Sequence, residues 1–396
     1  MKNITKLMCA TAAVAVAGTS AGAAGLDRSG QPINILFEEG RYVEVGVGRI
    51  FANVDGVDPQ GNETGDGPED YTIYSGGYKA DINDQWSYAF ILDQPYGSDT
   101  SYPDEGSIFD GTSSDLNSQA LTGLLRYRMA NGFSVYGGLK LQRVEAEATV
   151  GAAQLRAGTS ARLAAAGVPA AAIPGIVANI TDYTVDADPD IGFGYVAGVA
   201  YERPEIALRV ALTYHSEVEH RNDTVENGVF IGSTGAPVAV TDQASTSVTE
   251  FPDAFTLDFQ TGVAPNTLVF GRIRYADYEE FELAPEAFTE NTGAAIASYE
   301  ENVFAYQLGV GRRLTDNFSM SFAVSYEEEG PADDATPLTP VNGRIGYTLG
   351  GVYERDRMKI TAGISYTDLG DVTADDLGTF EDNDALAVGV RVGFRL

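Results

Sequence analysis

Twelve residues at the carboxyl end, Ala385 to Leu396, alternate without a break. Leu386, Val388, Val390, Val392, Phe394 and Leu396 fall on one face, and Ala387, Gly389, Arg391, Gly393 and Arg395 on the other. Successive side chains of a strand point to opposite faces, so this strand has one oily wall and one polar or small wall. The pattern recurs. Phe318, Met320, Phe322, Val324 and Tyr326 oppose Ser319, Ser321, Ala323 and Ser325; Ile360, Ala362, Ile364 and Tyr366 oppose Lys359, Thr361, Gly363 and Ser365. Ile206, Leu208, Val210, Leu212 and Tyr214 likewise oppose Ala207, Arg209, Ala211, Thr213 and His215. A period of two in so many segments points to a barrel in an outer membrane, with lipid outside and water or ligand inside.

The amino end reads as a secretory signal over residues 1–23. Lys2 and Lys6 supply the positive start, Leu7 to Gly18 the short apolar stretch, and Ala21-Gly22-Ala23 the small-x-small cleavage site. The apolar stretch is shorter than a membrane-spanning helix requires. Cys9, the single cysteine, lies inside this signal, so neither a disulfide nor thiol chemistry is expected of the mature chain. Without Lys2 and Lys6, 23 basic residues face 57 acidic ones, a net charge of −34. That balance excludes a general nucleic-acid binder, which needs a basic surface. The 45 Gly, 21 Tyr and 18 Phe suit a barrel, because Tyr and Phe form interfacial girdles and Gly lets strands bend around a closed wall.

Fourteen strands are expected, at 42–52, 70–82, 86–94, 119–129, 133–149, 183–201, 206–220, 254–263, 267–282, 301–313, 318–326, 342–354, 358–369 and 385–396. Their connections alternate in length. Asn83-Asp84-Gln85, Asn131-Gly132, Arg203-Pro204-Glu205, Ala264-Pro265-Asn266, Thr315-Asp316-Asn317 and Arg355-Asp356-Arg357 carry tight-turn chemistry. The loops at 53–69, 95–118, 150–182, 221–253, 283–300, 327–341 and 370–384 are long. Short turns on the periplasmic side and long loops outside are the arrangement of such barrels, and an even strand number leaves both ends on the periplasmic side. One loop is unlike the rest. Residues 152–179 are Ala-rich and nearly uncharged, with Leu155, Leu163, Ile173, Ile176 and Val177 at helix-like spacing and Pro169 and Pro174 cutting the helix into pieces. It suits both a gatherer of hydrophobic molecules and a lid on the barrel rim.

Several segments resemble the FadL-type outer-membrane transporters of long-chain fatty acids and related hydrophobic compounds. Phe251 to Gly262 (FPDAFTLDFQTG) is similar to the family's proline-led strand, and Leu268 to Tyr278 follows it. Asp93 to Tyr102 (DQPYGSDTSY) resembles the Pro-x-Gly stretch after strand three. Tyr195 to His220 resembles the family's paired strands with a Tyr-x-Ser end, and Ala24 to Gln31 the start of its plug. The resemblance covers essentially the whole mature chain. It implies an all-β fold: a fourteen-stranded antiparallel transmembrane barrel over 42–396, with a short N-terminal plug, 24–41, inside the lumen. It also implies a kinked third strand that opens the wall sideways, here near Trp86, Pro95 and Gly97. The family's Asn-Pro-Ala stretch before strand one is replaced by Phe37-Glu38-Glu39-Gly40.

Parity assigns lumen chemistry. Arg126, Arg128, Lys140, Arg209, Arg272 and Arg274, with Arg344, point inward and are candidate partners for a ligand carboxylate, which arginine grips with two parallel hydrogen bonds. The same cations also suit pairing with inner-wall acids and with Asp27, Glu38 and Glu39 of the plug. Phe37, Leu124, Tyr136 and Phe270 are the candidates for an apolar tail. His215 and His220, five residues apart on one strand, are expected to face opposite sides and to share no metal. No nucleophile motif accompanies them, so no enzyme is expected. Asp186, Asp188 and Asp190 share a strand face, and Glu327-Glu328-Glu329 reads as a loop charge run.

The expectation is a passive outer-membrane channel, without a cofactor and monomeric, for long-chain fatty acids or similar hydrophobic molecules. It is plug-gated and releases its cargo sideways into the membrane lipids. An aromatic-hydrocarbon channel, a structural or adhesive barrel and a general porin are the alternatives.

Overall fold

In the computed structural model the described residues are 25–103, 106–232, 235–299, 302–330, 335–374 and 377–396. The expected signal, 1–23, lies outside them. The fold is a closed barrel of fourteen antiparallel strands. They are β1 Tyr42–Asn53, β2 Tyr71–Asp81, β3 Trp86–Asp93 continued by Gly97–Ser101, β4 Ser113–Arg128, β5 Phe133–Val150 and β6 Tyr183–Arg203. β7 is Leu208–His215 continued by Val218–Ile231, and β8 is Pro237–Phe251 continued by Ala254–Ala264. β9 Thr267–Ala276, β10 Val303–Arg313, β11 Phe318–Glu327, β12 Arg344–Arg355, β13 Met358–Leu369 and β14 Asp384–Arg395 complete the wall. Closure is made by β1 against β14, from Tyr42↔Arg395 to Asn53↔Asp384. Closing the sheet pairs the backbone groups that an open edge would leave bare in hydrocarbon.

The outward face is apolar where lipid meets it. Leu139 and Phe193 are 72% and 75% exposed, and Leu308, Phe322, Leu349 and Val390 also face out. Tyr306, Tyr326, Tyr347 and Tyr366 stand on four neighbouring strands, forming part of an aromatic girdle. The short turns have positive φ at Gly132, Asn266 and Asp356, and the turn at 203–205 runs on through Ala207, also at positive φ, so that β7 begins at Leu208 rather than 206.

Two long loops of the sequence reading are not loops. Residues 221–253 continue β7 and β8 as a long hairpin, paired from Val218↔Phe251 to Ile231↔Pro237. Residues 113–118 lengthen β4, and 97–101 pair with them. These extensions lack the apolar-polar contrast because they stand above the lipid, where both faces carry polar residues. β9 ends at Ala276 rather than at 282. The Ala-rich loop forms α1, Ala152–Ala165, and α2, Ile173–Val177, with Pro174 in the first turn of α2. Leu155, Ile173 and Val177 pack with Tyr183, Phe230 and Phe288, so the loop lies down on the rim as a lid. Phe288 belongs to α3, Glu286–Thr292.

Residues 25–41 lie against inward-facing side chains from many strands. Ile33, Ile35 and Leu36 are buried with Tyr42, Ala89, Leu124, Tyr136, Val196 and Ala211.

Leu139 stands six residues above the β4–β5 turn, close to mid-membrane. Leu139→Arg is expected to destabilise the folded barrel by about 2–4 kcal/mol. The check is the denaturant midpoint in lipid vesicles, with Leu139→Ala as the reference.

Candidate functional site in the barrel lumen

The lumen is layered, and the inward residues of β5 mark the levels from the periplasmic end: Tyr136, Lys140, Gln142, Val144. At the lowest level Phe37 is held between two guanidinium groups, with Arg126 4.5 Å and Arg209 4.6 Å from its ring centroid. It meets Tyr136 edge-on at 6.0 Å. Cation–π contacts of this kind are worth about 2 kcal/mol when desolvated. Arg126 is also bonded to Glu202 and to Ser134 Oγ. Glu38 accepts from Lys359 Nζ at 2.7 Å and lies 3.8 Å from Arg395. Burial pushes the Glu38 carboxyl up, but Lys359 and Arg395 outweigh it and hold the group below its ordinary value.

Above the apolar cluster comes a polar belt. Arg274 donates to Asp27 at 2.9 Å, and both side chains are fully buried. Arg272 pairs with Asp258 at 2.9 Å. Lys140 is buried, with Ser216 O at 3.4 Å and no carboxylate within 4 Å among the described residues. His215 is 3% exposed, and neither ring nitrogen has a partner.

The structure therefore divides the candidate cations. Arg126, Arg272 and Arg274 are committed to acids. Arg128 stands exposed at the turn end of β4. Lys140 and Arg209 have no carboxylate within 4 Å among the described residues; Arg209 reaches only Asn34 Oδ1, at 3.3 Å, besides the Phe37 ring. Arg344 pairs with Glu327 at 2.8 Å, so Glu327 is a buried wall partner and not part of a loop charge run. Of the apolar candidates, Phe37, Leu124 and Tyr136 come together. Phe270 sits apart, against Leu268, Ala323 and Val352.

Higher up is a small cavity of about 70 Å³. Leu26, Leu116, Val144, Ala146, Val185 and Phe251 give it apolar walls, and Leu283, Pro285, Ile296 and Leu338 come from the loops that cap it. Its polar lining is hydroxyl and amide groups, among them Ser98, Ser114, Thr224, Ser247, Thr249 and Asn222 from the wall and Tyr299, Thr336 and Thr339 from the loops. One charged residue borders it, Glu147. By strand parity its side chain belongs to the outer face, in a register row with Asp99, Asp115 and Asp186. Sequence parity did not find this cavity, because its walls are strand extensions that read as loops.

β3 is broken between Asp93 and Gly97, with Pro95 inside the break and Gly97 at its end. β2 pairs with β3 only from Gly76↔Leu92 to Asp81↔Ser87. Above that, Gln94 Oε1 accepts from the N–H of Tyr74 at 2.7 Å. The inner segment supplies further partners: Arg28 N–H donates to Pro95 O at 2.8 Å and Gly97 N–H to Leu26 O at 3.0 Å. The Arg28 side chain lies over the Tyr71 ring, bonds Asp99 at 2.7 Å and fills the space a Cβ on Gly97 would need. Trp86 is remote from the break, at the turn end of β3, with its ring against Tyr127.

The two histidines overturn the parity reading. Both are buried, because β7 is broken at Ser216–Glu217 and the alternation restarts after the break. His220 pairs with Asp190 at 3.1 Å. A bulge between Val144 and Ala146 of β5 faces Ala187–Asp190, and Asp186 and Asp188 remain exposed.

Asp27→Asn leaves Arg274 buried without its counter-charge, a change that costs about 3–5 kcal/mol. Loosening of the inner segment is expected, read as faster amide exchange at residues 25–38 while the barrel keeps its heat-resistant gel mobility. Acid should loosen it too. The docked segment holds Glu38 below its ordinary pKa, so the contribution is present above the ordinary carboxylate range and lost as pH falls through the depressed value. Glu38→Gln should flatten that dependence, measured by the same exchange between pH 7 and pH 3 (roughly the carboxylate range).

Known proteins share this architecture. The chain matches the model of a family described as outer membrane protein transport protein (OMPP1/FadL/TodX) over residues 5–392. The long-chain fatty acid transport protein of Escherichia coli O6:H1 (strain CFT073) is 26% identical over 311 residues, 73% of this chain and 68% of that one. A Pseudomonas aeruginosa FadL homologue superposes with a TM-score of 0.67 at 16% identity, covering 96% of each chain. The Pseudomonas putida toluene transporter TodX gives 0.65 at 14% identity, covering 91% of each. At these identities the two structures share its fold. The chain is an outer-membrane β-barrel of Gram-negative type, and it belongs to the OMPP1/FadL/TodX family of outer membrane transport proteins.

Proposed function

We propose that this chain is a passive channel that takes neutral hydrophobic compounds into the upper cavity and releases them sideways at the break in β3, with residues 24–41 as its plug. The carrying observation is the cavity: apolar walls, a few hydroxyls and no inward charge. An ionised carboxylate entering it would lose hydration without gaining a partner, whereas a hydrocarbon or a compound with one hydroxyl or carbonyl gains apolar burial and a donor. The acids in register on the outer face beside the Arg28–Asp99 pair, Asp115, Glu147 and Asp186, add a repulsive field against anions. No step requires a cofactor, and the reading is of transport rather than catalysis.

Long-chain fatty acids are the second reading. Lys140 and Arg209 favour it, since they are the inward candidates that lack a carboxylate within 4 Å among the described residues. A head group on Lys140 would leave the tail directed up toward Val144 and the cavity.

The test is uptake of labelled naphthalene and labelled oleate by a Gram-negative host lacking its own long-chain fatty acid transporter, with the intact chain or a 24–41 deletion. Naphthalene uptake with oleate at vector level supports the neutral reading. Oleate uptake that disappears in Lys140→Met carries the second. If neither compound passes a barrel shown to be folded, both are wrong. Leu116→Asp puts a charge into the cavity wall at a cost of about 2 kcal/mol or more to any apolar occupant. It is expected to lower naphthalene uptake by more than about tenfold.

A further inference from the structure

The wall has a second break, between β6 and β7. These strands pair from Val196↔His215 to Arg203↔Leu208 and again from Thr184↔Asn227 to Ala187↔Thr224. Residues 190–195 of β6 keep their register with β5, beyond the bulge that faces Ala187–Asp190, and residues 218–223 of β7 keep theirs with β8. The interruption therefore belongs to the β6–β7 seam and not to disorder of either strand. Across it the ladder is replaced by side chains and one backbone bond. Ser216 Oγ accepts from Tyr195 N–H at 2.8 Å, and Ser216 N–H donates to Tyr195 O at 2.9 Å. Asp190 accepts from Arg221 N–H and bonds His220 Nδ1, each at 3.1 Å. Asn222 Nδ2 donates to Asp188 O at 2.8 Å.

The seam turns inward. A Cβ on Gly192 would lie 2.4 Å from Val218 Cγ1 and 2.7 Å from Glu219 O, so β7 leans over the inner face of β6 and only glycine admits it. On the outer side the β6 edge of the seam carries Ile191, Phe193 and Tyr195, all more than half exposed, and the β7 edge carries the exposed Glu217, Glu219 and Arg221. On the lumen side it meets the cavity, for which Asn222 and Phe251 are lining residues, and Phe251 carries the His220 ring edge-on at 5.6 Å. An apolar cavity, a gap in the ladder and an outer surface that is apolar along its β6 edge thus lie in sequence through the wall.

We propose that the β6–β7 seam is a second lateral portal for the neutral hydrophobic compounds of the upper cavity, gated by the Asp190–His220 contact. The proposal rests on the channel reading above and extends it, since that reading needs only the break in β3. Opening this gate breaks one backbone bond, Ser216 N–H to Tyr195 O, and otherwise needs rotation of Asp190, His220 and Ser216 and displacement of Asn222. The two breaks differ in what shuts them: the inner segment, through Arg28, at β3, and the wall's own side chains at β6–β7.

Two cysteine pairs test it, and Cys9 leaves the barrel with no cysteine of its own. Arg28→Cys with Asp99→Cys tethers the first break, and Asp190→Cys with His220→Cys tethers the second. Naphthalene uptake is measured oxidised and after reduction, with folding checked by heat-resistant gel mobility. With two parallel routes, each disulfide of ordinary reach alone should lower uptake about twofold. Both together should bring it to vector level, and reductant should restore it. If the first tether alone brings uptake to vector level, or if the second adds nothing to the first, the seam is structural and the proposal is overturned. Should the second pair not assemble, Asp190→Ala in the tethered first-break variant replaces it; raised uptake supports the portal, and unchanged uptake overturns it. Absence of uptake by the folded, untethered protein would instead sink the channel reading on which the portal depends.

Discussion

A backbone N–H or C=O facing hydrocarbon has no water to turn to, and this constraint governs the rest of the molecule. It is why the sheet closes, with β1 joined to β14 along twelve residue pairs. It also makes any interruption of the ladder informative, because the freed groups must find other partners. At β3 they find Gln94 and the backbone of the inner segment at Leu26 and Arg28. At the β6–β7 seam they find Ser216, Asp190 and Asn222. A strand ladder opens only by unzipping, whereas a side-chain bond is lost by one rotation. The wall is thus least cooperative at two of the places where it borders the cavity.

The same low-dielectric setting orders the charges inside. Removing ions from water is costly unless each is matched, so most inward cations meet an acid: Arg126 with Glu202, Arg272 with Asp258, Arg274 with Asp27, Lys359 with Glu38. Two of those acids, Asp27 and Glu38, belong to the inner segment. Its attachment is therefore electrostatic at both ends and apolar in the middle, where Ile33, Ile35 and Leu36 pack on the wall. Single substitutions at the ends act by leaving a buried partner uncompensated, not merely by removing a contact.

What the sequence disclosed follows from this physics. Membrane-spanning strands were legible because lipid on one side and a polar lumen on the other impose a strict period of two. The turns were legible because Gly132, Asn266 and Asp356 take positive φ. The contrast disappears above the lipid, and there the reading failed: 221–253 looked like a loop although it is a hairpin, and so the cavity walls went unseen. Parity also fails across a break, which is why His220 was assigned to the wrong side. Among the cations read as inward, Arg128 is instead exposed at a turn, and which of the others meet an acid depends on contacts between strands distant in sequence, such as Arg126 with Glu202. The role of Arg28 left no sequence signal, because it depends on Gly97 being vacant.

The direction of release, on the proposed reading, can be argued from transfer energies. A solute moving down from the cavity would have to pass Lys140, the Arg274–Asp27 pair and the packed inner segment, and would finish in water. For a solute with roughly 150 Å² of apolar surface, returning that surface to water costs about 4 kcal/mol. That corresponds to an unfavourable partition of about a thousandfold. Moving sideways costs little, because lipid chains replace cavity walls as apolar surroundings, and the barrier is the local bonds that close the wall. A fatty acid would face a different balance, since its carboxylate cannot follow its tail into hydrocarbon unless it is protonated or stays at head-group height. The uncharged cavity and the side-chain-closed seams are therefore mutually consistent features. Each suits a molecule that is apolar throughout, and neither supplies what an ionised head group needs.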